Sequence, residues 1–135
     1  MEYRNVLTTC PYCGTGCGLY LEVLDGRVVG TLPAKGHPVS EGKLCIKGWN
    51  AHAFIHHQDR LTKPLIKEKS QFREASWDKV YDLIADKFVH LREEFGPDSL
   101  AVLSSAKCTN EENYLLQKFT RTVLGTNNVD HCARL

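Results

Sequence analysis

The 135-residue chain is short of several things, and each shortage narrows what it can be. No apolar run is long enough to span a bilayer as a helix. Charge of one sign is missing: 17 Lys and Arg stand against 16 Asp and Glu, leaving +1. So small a balance gives no electrostatic case for nucleic acid or for an anionic membrane surface. Internal repeats and low-complexity tracts are absent, which argues against a solenoid or a disordered linker. The amino end, "MEYRNVLTTC", has neither the basic-then-apolar order of a secretory leader nor a twin-arginine pair, and a cytoplasmic location is therefore expected. What remains is 42% hydrophobic and 24% charged, ordinary values for a globular chain. The length suits one compact domain or two small pieces.

Cysteine is the residue in surplus. There are six, and in a reducing compartment they read as metal ligands or reactive thiols before disulfides. Three fall in "TCPYCGTGCG" as C-x2-C-x3-C: Cys10, Cys13 and Cys17. Gly14, Gly16 and Gly18 let this loop fold closely and offer amide N–H groups to sulfur, and Pro11 stiffens it. A fourth, Cys45 in "LCIKGWN", arrives after 27 intervening residues. Three local thiolates plus one distant one is a common way to hold a [4Fe–4S] cluster. Structural zinc is the alternative, although zinc modules usually present two short ligand knuckles. Gly14 stands where a c-type haem motif needs histidine, and no βαβ pattern supports a thioredoxin-like C-x-x-C. Cys108 and Cys132 have no spaced partner and read as packed or loop thiols. Lys47 reads from spacing alone as a surface lysine; beside an anionic cluster it would instead be a tuning charge. His52, His56 and His57 lack a carboxylate placed as general base and read as solvated or core-satisfied histidines.

Hydropathy patterning predicts the elements. "GLYLEVLDGRVVGTL" is strand, Asp25-Gly26 turn, strand. Residues 33 to 48 are loop-like, and "AHAFIHHQDRL" suggests a short helix. "LTKPLIKEKSQFREA" is extended, with room for two short strands, and "EKSQFREASWDK" is a solvated connection. From Ser76, a plausible N-cap, apolar residues recur at helical spacing: Trp77, Val80, Tyr81, Ile84, Phe88, Leu91 and Phe95. Gly96-Pro97 ends that helix. "SLAVLSS" reads as a buried strand. A second helix follows, with Thr109 and Glu112 as a capping box and Gly125 as its stop. "NNVD" opens a further strand, and the order helix, strand, helix, strand belongs to a layered α/β sheet.

The order of motifs carries more than the spacing. "TCPYCGTGCGLYLEV", "HPVSEGKLCIKG", "DRLTKPLI", "EASWDKVYDLIA" and "TNEENYLLQKFTRTVLGTNNVDHCARL" together resemble the amino-terminal region of molybdenum- or tungsten-containing formate dehydrogenase catalytic subunits, members of the bis-pterin oxidoreductase superfamily. The resemblance covers essentially the whole chain. It implies an α+β fold: residues 1–62 a small iron–sulfur domain with a β-hairpin, residues 63–135 the incomplete start of an αβα molybdopterin-binding domain. It implies a [4Fe–4S] cluster on Cys10, Cys13, Cys17 and Cys45, and it places Lys47 between cluster and pterin on the electron path. For the bis-molybdopterin guanine dinucleotide, the loop after the strand "SLAVLSS" is the candidate for further contacts, with Ser105 and Asn110 nominated because ligands of open α/β sheets sit at the carboxyl ends of strands.

In that family formate gives up a hydride equivalent and leaves as carbon dioxide, and electrons pass singly through the cluster to an iron–sulfur or flavin subunit. The family's metal ligand, cysteine or selenocysteine, comes directly after the segment matching "CARL", followed by the catalytic histidine. The expectation is therefore that this piece is inactive alone, holds no catalytic residue, and is followed in its gene by UGA, the selenocysteine codon. Nitrate reductases, formylmethanofuran dehydrogenases and a stand-alone iron–sulfur carrier are the alternatives. No nucleic acid or membrane partner is expected, but self-association is, through the apolar face from Trp77 to Phe95.

Overall fold

The computed structural model describes residues 1–132; the last three residues of the "CARL" segment lie outside the described residues. The chain divides into two compact units. One comprises Met1–Arg60, Ser104–Tyr114 and the residues from His131; the other comprises Leu61–Leu103 and Leu115–Asp130.

The first unit is built on a three-stranded antiparallel sheet of β1 (Tyr3–Thr9), β2 (Gly18–Leu24) and β3 (Arg27–Pro33), with β2 central. The Asp25-Gly26 turn joins β2 to β3 with φ of +47° and +80°, the two positive angles that a type I′ turn demands. Alternation along β2 sends Leu19, Leu21 and Val23 to one face, where Leu19 is fully buried and Val23 is 7% exposed. Burying a leucine of this kind stabilises the fold by about 1.5–3 kcal/mol. A bulge between Glu22 and Val23 shifts the β2–β3 register.

Two expectations fail here. β1 was not foreseen, because every residue in it is exposed and its sequence lacks clear alternation. The segment "AHAFIHHQDRL" is not a helix but a chain of tight turns, with Ala53, Ile55 and His57 each bonding three residues back to Asn50, His52 and Phe54. The helix lies just before it: α1, Ile46–Trp49.

The second unit holds the hairpin β4 (Leu65–Glu68) and β5 (Gln71–Glu74), and the 19-residue helix α2 (Trp77–Phe95). Ser76 caps α2 by accepting the Lys79 N–H at 3.3 Å, and Gly96 ends it at φ +83°. The strand β6 (Val102–Ser105) pairs with β7 (Val129–Cys132), and α3 (Asn110–Phe119) lies between them in sequence. α3 continues as one π-helical turn over Thr120–Leu124 and stops at Gly125, φ +80°. The capping box forms: Thr109 N–H donates to Glu112 Oε2 at 2.7 Å, and Glu112 N–H to Thr109 Oγ1 at 3.3 Å. Asp98 ties the start of β6 to the approach to β7, since Thr126 Oγ1 donates to its carboxylate at 2.6 Å and Asn128 Nδ2 to its carbonyl at 3.0 Å.

β6 is not the buried strand its composition suggests: Leu103 is 81% exposed, and the other three residues are half-buried. A strand with one neighbour has little to cover it. The same holds for α2, none of whose residues is buried. Val80, Phe88 and Leu91 are half-buried, whereas Trp77, Tyr81, Ile84 and Phe95 stay exposed. An apolar hollow of about 310 Å³ lies along this face, between Ile84, Phe88, Phe119 and Val123. Among the described residues, no helix is long and apolar enough to cross a membrane. Each large side chain left in water forgoes about 1.5–3 kcal/mol relative to burial, so the isolated chain is expected to associate through α2. Sedimentation should show a mass that rises with concentration, and Ile84→Glu should shift it back toward monomer; a sharp monomer at high concentration would rule this out.

Candidate metal centre

The loop from Cys10 to Cys17 is the connection between two adjacent antiparallel strands. The last register pair of β1 and β2 is Thr9 with Gly18, and the next rung is closed by Cys10 N–H donating to Cys17 C=O at 2.8 Å. The first and third cysteines of the motif are thus fixed by the sheet before any metal is considered. Cys10 is 5% exposed and packs with Leu19 and Ala51, with Tyr12, Cys17, Leu21 and Leu44 around them. Leu44 and Ala51 bracket Cys45 in sequence, so the same small core carries the fourth cysteine to the loop.

Two glycines near the cysteines are closely approached by side chains. A Cβ on Gly18 would collide with the His37 ring, and one on Gly14 with Asn110 Oδ1. His37 belongs to the loop that leads to Cys45, and in the same loop Ser40 Oγ accepts the Gly18 N–H at 3.3 Å. Cys45 stands at the N-cap of α1, where its carbonyl accepts from Trp49 N–H at 3.1 Å.

The thiols are not equivalent. The Thr15 hydroxyl, with Cys13 Sγ 3.3 Å away, lowers the Cys13 pKa, helped by the Thr15 N–H and the Lys47 charge. The backbone N–H groups of Gly48 and then Lys47 lower that of Cys45, again with the Lys47 ammonium assisting. Cys17 moves the other way: burial raises its pKa, and the negative charges of Cys10, Cys13 and Cys45 raise it further. Cys10, Cys13 and Cys45 thus each act on Cys17, and Lys47 is near enough to act on Cys13 and Cys45. Two of the glycine N–H groups expected to serve sulfur go elsewhere, Gly16 N–H to Cys13 C=O and Gly18 N–H to Ser40; the N–H groups that lower thiol pKa values belong to Thr15, Gly48 and Lys47.

Among the described residues, no three His, Cys, Asp or Glu side chains draw close enough to share a single metal ion. The histidines are engaged elsewhere: His52 Nδ1 lies 3.0 Å from Thr31 Oγ1, His56 Nε2 accepts Val28 N–H at 3.0 Å, and His57 Nδ1 accepts Asp59 N–H at 3.2 Å. Cys108 is half-buried and Cys132 exposed. Ser105, at the end of β6, accepts Lys107 N–H on its hydroxyl at 3.0 Å, and Asn110 Nδ2 donates to Gly14 C=O at 2.9 Å. Thr15, Ser40 and His37 were not foreseen; only Thr15, a hydroxyl two residues beyond a cysteine, left a local signal.

The thiolate is the nucleophile, so a lowered pKa enlarges the reactive fraction near neutral pH. In metal-free protein, alkylation should therefore label Cys13 and Cys45 before Cys17, and their rates should level off at a lower pH than that of Cys17. Peptide mass spectrometry across a pH series measures this; Cys17 reacting first would contradict the assigned environments.

Comparison with known proteins now bears on these residues. Residues 3–57 match the molybdopterin oxidoreductase Fe4S4 domain, and residues 60–135 match the molybdopterin oxidoreductase family. The chain is 58% identical over 134 residues to F420-dependent formate dehydrogenase 2 subunit alpha of Methanococcus maripaludis, covering 99% of this chain and 19% of that protein. It is 56% identical over 135 residues to F420-dependent formate dehydrogenase subunit alpha of Methanocaldococcus jannaschii, again 19% of the longer protein. The chain thus spans about a fifth of the length of these relatives. Among solved structures, acetylene hydratase from Pelobacter acetylenicus superposes with a TM-score of 0.73 at 28% identity, over 93% of this chain and 18% of that one. With both matches falling on a cysteine-bearing sheet unit and the α/β segment that follows, this chain belongs to the molybdopterin oxidoreductase family and carries that family's Fe4S4 domain.

Proposed function

We propose that the chain is the electron-relay portion of a formate dehydrogenase catalytic subunit, with Cys10, Cys13, Cys17 and Cys45 as the ligands of a [4Fe–4S] cluster. The observation that carries the proposal is the Fe4S4-domain match over residues 3–57, which contains all four cysteines, on a sheet whose Cys10–Cys17 rung and small core bring the Cys45 segment beside the loop. The names of the 58% and 56% identical relatives support formate as the substrate of the whole subunit. When bound, the cluster would supply a one-electron relay from a molybdenum or tungsten pterin centre that handles electron pairs. The chain's own part is to bind and tune. The sheet fixes Cys10 and Cys17, Thr15 stabilises the anionic form of Cys13, and the first turn of α1 turns two N–H groups toward Cys45. Lys47 sets a cation beside the site, where it favours a more negative charge state.

The wider assignment follows the same relatives. The cluster domain would run to about residue 62 and the pterin-binding domain would begin beyond it, with Ser105 at the end of β6 and Asn110 at the start of α3 as pterin contacts. A selenocysteine or cysteine outside these residues would hold the metal. An iron–sulfur or flavin subunit would receive the electrons, in the cytoplasm.

Anaerobic reconstitution should load the chain with about four iron atoms, as its one cluster requires. Cys17→Ala or Cys45→Ala should abolish the iron–sulfur absorption, and Cys108→Ala should leave it; the reverse pattern would overturn the ligand set. Lys47→Met should keep the iron and lower the midpoint potential, because a lost positive charge disfavours the more negative reduced state. An unchanged potential would remove Lys47 from the tuning role. The full-length subunit should oxidise formate, and there Cys45→Ala should stop transfer to an external acceptor. Failure of the intact, metal-loaded subunit to use formate would defeat the substrate assignment.

A further inference from the structure

We propose that Asn110 is a positioning residue for the cysteine loop: its side chain is a clamp that holds the Cys13–Cys17 turn from the first turn of α3. The inference rests on the cluster reading for its purpose, and on geometry for its substance. Two observations carry it. Asn110 Nδ2 donates to the carbonyl of Gly14 at 2.9 Å, a contact spanning 96 residues of sequence. At the same glycine, Asn110 Oδ1 occupies the place a Cβ would fill. One side chain therefore both bonds to the loop backbone and fills the space beside Gly14.

The clamp is itself anchored. The capping box of Thr109 and Glu112 fixes the start of α3, so the first residue of the helix has a defined direction. One turn on, Asn113 holds the end of β6: its Nδ2 donates to Ser105 C=O at 3.2 Å, and Ser104 Oγ donates to its Oδ1. Asn110 and Asn113 thus join the end of β6 to the loop between the second and third cysteines. The loop needs such a tie. Its two ends are fixed by the sheet, but Cys13 lies at its middle, where the short-range contacts are the Thr15 hydroxyl and the 3.4 Å bond from Gly16 N–H to Cys13 C=O. Gly14 directly follows Cys13, so a fixed Gly14 carbonyl restricts where the Cys13 sulfur can go.

The test is a double-mutant cycle in the full 135-residue chain, using Asn110→Ala, Asn110→Asp, Gly14→Ala and the Gly14→Ala/Asn110→Ala pair. Asn110→Asp keeps the shape but removes the donor, and so separates the hydrogen bond from packing. Gly14→Ala should push the Asn110 side chain off its carbonyl and so reproduce Asn110→Ala. Two rates are read: alkylation of Cys13 in metal-free protein, and loss of iron from reconstituted protein to a ferrous chelator. Each single variant should speed both by about three- to tenfold, the range for one net hydrogen bond. The pair should be no faster than either single change, because both remove the same contact. Additive effects, or an Asn110→Asp variant that behaves as wild type, would overturn the clamp. If the wild-type chain takes up no iron, the cluster reading fails, while the Cys13 alkylation cycle still decides the clamp. Unfolding of the variants, seen as loss of helical circular dichroism, would point to α3 stability as the role of Asn110 and also count against the proposal.

Discussion

A loop that gathers thiols works against burial and like-charge repulsion: burial raises the pKa of Cys17, and the charges of Cys10, Cys13 and Cys45 raise it further. The chain answers with constraints that cost little to impose. Cys10 and Cys17 are consecutive to the paired strands β1 and β2, so sheet register brings them together through the bond between their own backbones. The core of Leu19, Ala51, Leu21 and Leu44 then brings the Cys45 segment up to that register. Donors from Thr15, Lys47 and Gly48 offset part of the repulsion. Much of the first unit is arranged around this requirement.

Much of this was legible in the sequence, and the legible parts share a cause. Motifs whose meaning is local were readable: the C-x2-C-x3-C spacing, the Asp25-Gly26 turn, the Ser76 cap and the box of Thr109 and Glu112 all act within a few residues. What escaped depends on distant partners. β1 is a strand only because β2 lies beside it, and its exposed residues give no alternation. Residues 51 to 57 carry helix-forming alanines, yet the hydrogen bonds from His52 and His56 to β3 favour successive turns over a continuous helix. β6 has the composition of a buried strand without the neighbours that would bury it. Gly14 and Gly18 were noticed as glycines, but the side chains that approach them closely are Asn110 and His37, which no short window connects to them.

The fold by itself does not choose a substrate. The same arrangement of residues superposes on a protein named acetylene hydratase at 28% identity and aligns with formate dehydrogenase alpha subunits at 56–58%. A cofactor-binding framework can serve different chemistries when the reacting atoms belong to the cofactor. What the framework does fix is the electrostatic setting. Lys47, on a four-residue helix directly after a cysteine, acts on both Cys13 and Cys45, so its influence is not confined to its own neighbour in sequence.

The four cysteines also differ in how far they stand from solvent: Cys10 is buried, Cys13 and Cys17 are intermediate, and Cys45 is exposed. A site graded in this way has a floor and a doorway. Solvent-borne ions, oxidants and alkylating reagents therefore meet Cys45 before Cys10.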